Sequence, residues 1–330
     1  MKLIDQIKKQ ARKDIKHIVL PESMDVRTIK AAVIAVEEGY AEVSLVGSED
    51  KIRKMYPDYD FEGIYFVDPT NYTKSSLYIN RLTELRSNKG VTRELAEKLL
   101  LDPLYFGVMM VKMGDADGMV AGAANSTSDT LRPALQIIKT AQSSKLVSSV
   151  HIMCLDNKEF GHNGIMLYGD TALNEDPNAE ELAEIAIASA KTFKQLVGEE
   201  PKVAMLSYST FGSAKSPLVN KVVEATAMAK VKAPNVLIEG ELQFDAALIR
   251  EIGMKKAPGS KVAGNANVLI FPDLNSGNIG YKMTERLAGA SALGAITQGL
   301  AMPINDMSRG CSPEDIAGVI AITAVQAQGI

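Results

Sequence analysis

Between Pro303 and Ile316 the chain gathers a hydroxyl, a fixed cation, a thiol and a carboxylate into one short loop: Ser308, Arg309, Cys311 and Asp315. Ser312, Pro313 and Asp315 read as the N-cap, the first helical position and the capping-box acid of a helix whose apolar run extends from Ile316 to Ala327. The loop therefore faces a helix N-terminus, where free N–H groups and the helix dipole favour an anion. A hydroxyl and a cation there can polarise a carbonyl or hold phosphate oxygens, and a carboxylate can take a proton. Asp315 also fits a structural role as the capping acid alone. Cys311 likewise has two readings, an acyl-accepting nucleophile beside Arg309 or a small buried thiol.

Two further stretches have the form of an anion cradle. Asp117 to Arg132 runs from a strand through small residues into a helix, with Ser126 and Thr127 as hydroxyl donors, Arg132 as a cation and Ser128 as the expected N-cap. Ser207 to Ser216 also follows a strand, but it lacks the first glycine of a Walker A loop, which excludes nucleotide hydrolysis by that motif. Neither stretch contains GxGxxG, so no dinucleotide fingerprint is present. Arg86 ends a helical pattern; Arg86, Arg27 and Arg286 each also fit a solvated surface position.

Composition narrows the function classes. The net charge of -4 over 330 residues comes from well mixed signs, and no Lys/Arg block is long enough to track a phosphate backbone, so no nucleic-acid partner is expected. Two cysteines, Cys154 and Cys311, form neither a disulfide framework nor a CxxC pair, which suits a reducing cytoplasm. Three scattered histidines and no HExxH give little basis for a metal site. No apolar run approaches ~20 residues and the N-terminus has no signal core, so no membrane partner is expected either.

The elements that must position these groups alternate as βα units around mainly parallel sheets. Strands are expected at 17–20, 42–46 and 117–121, and then at 149–154, 164–167, 203–207, 235–238 and 268–271. Helices are expected at 26–37, 74–88, 93–100, 128–140, 179–196, 213–229, 244–252 and 276–287. A composition change over 139–149 marks a boundary between a first α/β domain, 1–145 plus 301–330, and a second, 146–300. The returning final helix would put the Ser308 loop at an interdomain cleft.

Taken together, the stretches Leu20 to Arg27, Asp117 to Arg132, Ser207 to Ser213, Phe271 to Lys282 and Pro303 to Asp315 resemble the phosphate acetyltransferases, or phosphotransacetylases, over nearly the whole chain. The resemblance implies an acyltransferase that exchanges acetyl groups between coenzyme A and inorganic phosphate, forming acetyl phosphate. It implies a homodimer of two-domain α/β subunits similar in fold to the isocitrate and isopropylmalate dehydrogenases, without their nicotinamide cofactor. Acetyl-CoA would be a substrate, not a permanently bound cofactor. The resemblance also implies direct transfer in a ternary complex, with Asp315 as base toward the CoA thiol and with Ser308 and Arg309 binding and polarising acetyl phosphate. Arg86 and Arg132 would lie at the same cleft, Arg27 and Arg286 would meet CoA phosphates, and Ser126, Thr127 and Cys311 complete the expected substrate-binding set. An ordinary aspartate (pKa ~3.9) facing a thiol (~8.5) is mismatched by roughly 4 to 5 units, about 6 kcal/mol, so proton transfer must accompany attack. Acyl-chain length cannot be read from these residues, since one methylene is worth only ~1 to 3 kcal/mol.

Overall fold

The computed structural model describes residues 2–142 and 144–329. The elements run α1 (Leu3–Ala11), β1 (His17–Leu20), α2 (Val26–Glu37), β2 (Glu42–Val46), α3 (Glu49–Met55), β3 (Ile64–Val67), α4 (Ser75–Arg86), α5 (Arg93–Leu99), α6 (Pro103–Met113), β4 (Gly118–Ala121) and α7 (Thr127–Pro133). They continue with β5 (Ser148–Cys154), β6 (Ile165–Gly169), α8 (Ala179–Val197), β7 (Lys202–Leu206), α9 (Pro217–Lys232), β8 (Leu237–Leu242), α10 (Phe244–Leu248), α11 (Arg250–Lys256), β9 (Val268–Ile270), α12 (Leu274–Ala288), β10 (Ser291–Gln298), β11 (Ile304–Asp306) and α13 (Pro313–Gln328). Two compact units result, Met1–Ala141 with Leu300–Ile330, and Gln142–Gly299.

The first unit holds a five-stranded, wholly parallel sheet in the order β11-β4-β1-β2-β3. Its central strands are short apolar runs: Ile18, Val19, Leu20 and all of β4 are buried, as a strand covered on both faces must be. Helix α13 packs against α1, α2 and β4. It is apolar on every side and buried from Ile316 to Val325, which is the pattern of a helix inside a layer instead of on its surface. Gly118 makes room for it, since a Cβ there would sit 2.6 Å from Thr323 Cγ2 and 3.1 Å from the Pro303 carbonyl.

The second unit holds a six-stranded sheet in the order β10-β5-β6-β9-β7-β8. The four strands β6, β9, β7 and β8 are parallel, whereas β5 is antiparallel to both β6 and β10. Helix starts follow their caps: Asn178 and Glu181 form a reciprocal capping box on α8, Ser216 precedes Pro217 at the start of α9, and Asp273 accepts from the Ser276 N–H on α12. Among the described residues no helix is long and apolar enough to cross a membrane.

The mixed α/β class and mainly parallel sheets agree with the sequence, but several elements differ. Helix α6 was not expected because Leu104, Phe106 and Val108 to Val111 are buried around its whole circumference, leaving no 3.6-residue periodicity to read. The single helix expected over 128–140 ends at Pro133 and passes into a π-helical turn, Ala134–Ile138, since proline supplies no N–H. Its cap is Ser126, which accepts from the Asp129 N–H; Ser128 lies inside the helix. The helix expected over 244–252 is two helices joined at Ile249, whose backbone is extended.

Gly118→Ala is expected to destabilise the protein by about 1 to 3 kcal/mol through overpacking between β4 and α13. Urea unfolding should show a lower midpoint with an unchanged slope; an unchanged midpoint would mean that Thr323 gives way at no cost.

Candidate active site

Within the first unit the chain leaves β1 toward β2 and β3, while β4 and β11 lie on the other side of β1. The carboxyl ends of β1 and β4 thus flank a topological switch point, where open parallel sheets bind ligands. Three loops begin there: 21–25 after β1, 122–126 after β4 and 307–312 after β11. A cavity of about 840 Å³ opens beside the first two, lined among others by Glu22, Ser23, Asp25, Gly47, Lys51 and Asn125.

The cradle read from Asp117 to Arg132 is built as an anion site, but its anion belongs to the protein. Buried Glu22 receives the N–H of Ala123 (2.8 Å) on Oε2, and on Oε1 those of Ala124 (3.0 Å) and Asn125 (2.8 Å) with the Asn125 side-chain amide (2.7 Å). The second small-residue turn is filled the same way in the other unit, where buried Glu241 accepts from Ser209 Oγ (2.8 Å) and the Gly212 N–H (2.7 Å). Successive backbone N–H groups favour a negative charge whichever molecule supplies it. The sequence showed the donors in both turns and not the distant carboxylates that occupy them.

Arg27, at the start of α2, ties the same region together. Its guanidinium donates to both Asp25 oxygens (Nε 3.0 Å, Nη2 2.6 Å), to the carbonyl of Ala123 (2.5 Å), and to those of Arg309 (2.7 Å) and Cys311 (3.2 Å). These five hydrogen bonds match the five N–H donors of the side chain, so none is left over for a CoA phosphate. Hydrogen bonding from Arg27 in turn holds the Asp25 carboxyl below the usual range.

Ser308, Arg309, Cys311 and Asp315 stand on the loop from β11 to α13. Asp315 does close the capping box: Ser312 Oγ accepts its N–H at 3.1 Å, and its Oδ2 accepts the Ser312 N–H at 2.9 Å. Its Oδ1 has no partner among the described residues, so capping leaves that oxygen open. Ser308 Oγ accepts from the Gly310 N–H (3.3 Å) and keeps its own proton free, and the exposed Arg309 guanidinium makes no hydrogen bond among the described residues. Cys311 is buried, and burial pushes its thiol up to about 11, with the Asp315 charge adding to the rise and Arg27 opposing it.

Arg86 and Arg132 both exert their charge on Tyr105, whose hydroxyl donates to Gln136 Oε1 at 3.0 Å. Among the described residues Arg86 Nε is buried without a partner, and Arg132 reaches only Asp129, at 3.3 Å. Ser126 is engaged with Asp129 (Oγ to Oδ2, 2.7 Å), and Thr127 faces Asp306. Arg286 lies in the other unit near the end of α12, largely exposed, 3.7 Å from Glu285. Among the described residues no group of three or more His, Cys, Asp or Glu side chains is placed to hold a metal ion.

Asp306, the last residue of β11, was not singled out in the sequence. It is 6% exposed, and burial pushes its carboxyl up to about 6, with the Glu22 charge adding to the rise. The hydroxyls of Thr127 and Thr130 oppose it, although among the described residues neither Thr130 Oγ1 nor Asp306 Oδ1 completes a hydrogen bond. Gly122 (φ +101°) permits the approach of the two loops, since a Cβ there would stand 2.3 Å from Asp306 Oδ1 and 2.6 Å from the Met307 backbone. An acidic residue followed by the Ser308-Arg309 pair was the only sequence signal available.

The chain belongs to the phosphate acetyl/butaryl transferase family, whose profile it matches over residues 2–324. It is 58% identical over 328 residues to a phosphate acetyltransferase of Acetivibrio thermocellus, with 99% of each chain covered. A phosphotransacetylase from Streptococcus pyogenes superposes with a TM-score of 0.94 at 44% identity, covering 99% of this chain and 98% of that one. A protein from Salmonella typhimurium assigned as a 4-hydroxythreonine-4-phosphate dehydrogenase shares the fold at 11% identity (TM-score 0.53, 94% and 99% covered), in keeping with the dehydrogenase-like architecture that the resemblance implies.

Because the Asp306 carboxyl ionises less readily folded than unfolded, stability should fall as pH rises from about 4 to about 6, by about 2 kcal/mol through this group. Asp306→Asn removes that loss. Urea midpoints measured stepwise across the window should decline in the native protein relative to the variant; parallel profiles would exclude the effect.

Proposed function

We propose that this protein is a phosphate acetyltransferase, catalysing acetyl-CoA + phosphate = CoA + acetyl phosphate by direct transfer in a ternary complex. The observation that carries the mechanism is which polar groups lack a protein partner among the described residues. Arg27 and Glu22 are saturated, whereas the Arg309 guanidinium, the Ser308 hydroxyl proton and Asp315 Oδ1 are open. Family membership and the identity to named phosphate acetyltransferases support the substrates.

In the direction of acetyl-CoA synthesis, the CoA sulfur attacks the acetyl carbonyl as the thiol proton passes to Asp315 Oδ1. A carbon–sulfur bond forms, the bond from carbon to the bridging phosphate oxygen breaks, and phosphate leaves with its electron pair. Ser308 and Arg309 donate to oxygens on which negative charge grows, an interaction worth more in the transition state than in the ground state. The N-terminus of α13 adds ~0.3 to 1 kcal/mol for an exposed anion. Arg86 and Arg132 receive the phosphoryl oxygens. Arg27, with every donor engaged, contributes its field and the position of the loop.

The thiol of Cys311, at about 11, offers little thiolate at neutral pH, and the CoA thiol makes a second one unnecessary. That favours direct transfer over an acetyl-cysteine intermediate. The family resemblance further supports a homodimer, and two unpaired cysteines suit a cytoplasmic enzyme.

The test is acetyl-CoA formation from acetyl phosphate and CoA, followed as the thioester appears. Native protein should turn over; Asp315→Asn should lose most of kcat, and Arg309→Gln should lose ~10²-fold or more of kcat. Cys311→Ala should keep most of the activity. An inactive native protein sinks the acetyl assignment, and full activity in Asp315→Asn returns that residue to capping alone.

A further inference from the structure

We infer that Glu22 and Arg27 are positioning residues of this site, and that the loop after β1 sets the distance between the Ser126–Arg132 segment and the Ser308–Asp315 segment. The inference rests on the transferase reading above and deepens it. Neither residue is left free to act as a ligand. Glu22 has its two oxygens on three backbone N–H groups and one side-chain amide of residues 123–125, and Arg27 has its donors on protein oxygens.

The chemistry of the two residues is complementary. Glu22 accepts from the N–H groups of the loop after β4, and Arg27 donates to a carbonyl of that same loop, at Ala123. Arg27 also grips the carbonyls of Arg309 and Cys311, the residues on either side of Gly310. Met307 N–H donates to the Ala121 carbonyl at 2.7 Å, which fixes the start of the third loop on the end of β4. The free groups of the reaction are thereby suspended from backbone that a charged fork and a charged acceptor hold on both sides. Charge-assisted hydrogen bonds of this kind are about twice as strong as neutral ones, and their geometry is directional.

Two consequences separate this role from substrate binding. A lysine at position 27 keeps the charge that a phosphate would attract but cannot reach carbonyls and a carboxylate arranged around a planar fork. A glutamine at position 22 keeps the shape of the glutamate but turns one acceptor into a donor facing N–H groups. Each change should shift the reacting groups without removing any of them, and misplacement on the order of 1 Å can cost ~10²-fold in rate.

Arg27→Lys and Glu22→Gln are therefore expected to lower kcat by ~10- to 100-fold, with KM for CoA and for acetyl phosphate within ~3-fold of native. Hydrogen exchange should show faster exchange at residues 123–125 in Glu22→Gln and across 308–315 in Arg27→Lys. Glu22→Asp, which retains the acceptors on a shorter stem, should lie between native and Glu22→Gln, and it carries the test should Glu22→Gln not fold. A raised KM for CoA with native kcat in Arg27→Lys would overturn the assignment and make Arg27 a CoA ligand. Loss of thermal stability with native kcat in Glu22→Gln would likewise reduce Glu22 to scaffold. If native protein shows no acetyl transfer, it is the transferase reading that fails; unchanged exchange in both variants would then still refute the clamp.

Discussion

A carboxylate enclosed by backbone N–H groups is the constraint on which the rest of the site depends. Glu22 sits 8% exposed against the turn 123–125, and a buried charge is tolerable only where hydrogen bonds replace its water. Removing the carboxylate would leave the N–H of buried Ala123 and the donors of half-buried Asn125 unanswered, at a cost per buried group of about 1 to 3 kcal/mol. The turn is consequently bound to the loop after β1, and Ser126, where that turn ends, caps α7. Arg27 then carries the same fixed position to the loop ahead of α13.

This arrangement divides the polar groups into two sets with opposite properties. One set is satisfied inside the protein: Glu22, Asp25, Arg27, Ser126 and Oδ2 of Asp315. The other lacks partners among the described residues or is underused, and comprises Arg86, Ser308, Arg309 and Oδ1 of Asp315. Internal partners for the first set leave the second set's groups uncommitted, and uncommitted donors are what charge developing in a reaction requires. Asp306, buried at the end of β11 with its carboxyl raised to about 6, adds local electrostatic cost.

Much of this was legible in the residues, and the gaps have physical causes. The capping box at Ser312, Pro313 and Asp315 is a local pattern, and it is present as read. The strands at 17–20 and 42–46 carry their own apolar runs and fall at those bounds. Helix α6 was invisible because uniform burial erases amphipathic periodicity, and β11 because three residues are too few for a pattern. The occupant of the cradle was illegible for another reason: Glu22 and Asn125 are a hundred residues apart, and only the adjacency of β1 and β4 brings them together. The same separation hid the use of Arg27, whose partners at Arg309 and Cys311 meet it through β11.

The path of the chain through the first unit carries a consequence for its synthesis. β11 and α13 supply an edge strand and the apolar helix beneath β4, yet they follow the entire second unit in the sequence. A ribosome that has released residues 142–299 has delivered one complete unit and one whose central strands still lack a covering helix. The apolar side of β4 that Ile316 to Val325 will cover must wait through that interval, as a surface chaperones recognise. Ser308, Arg309 and Asp315 arrive in the same late segment, so the loop proposed for the chemistry and the last piece of the core are acquired in a single step.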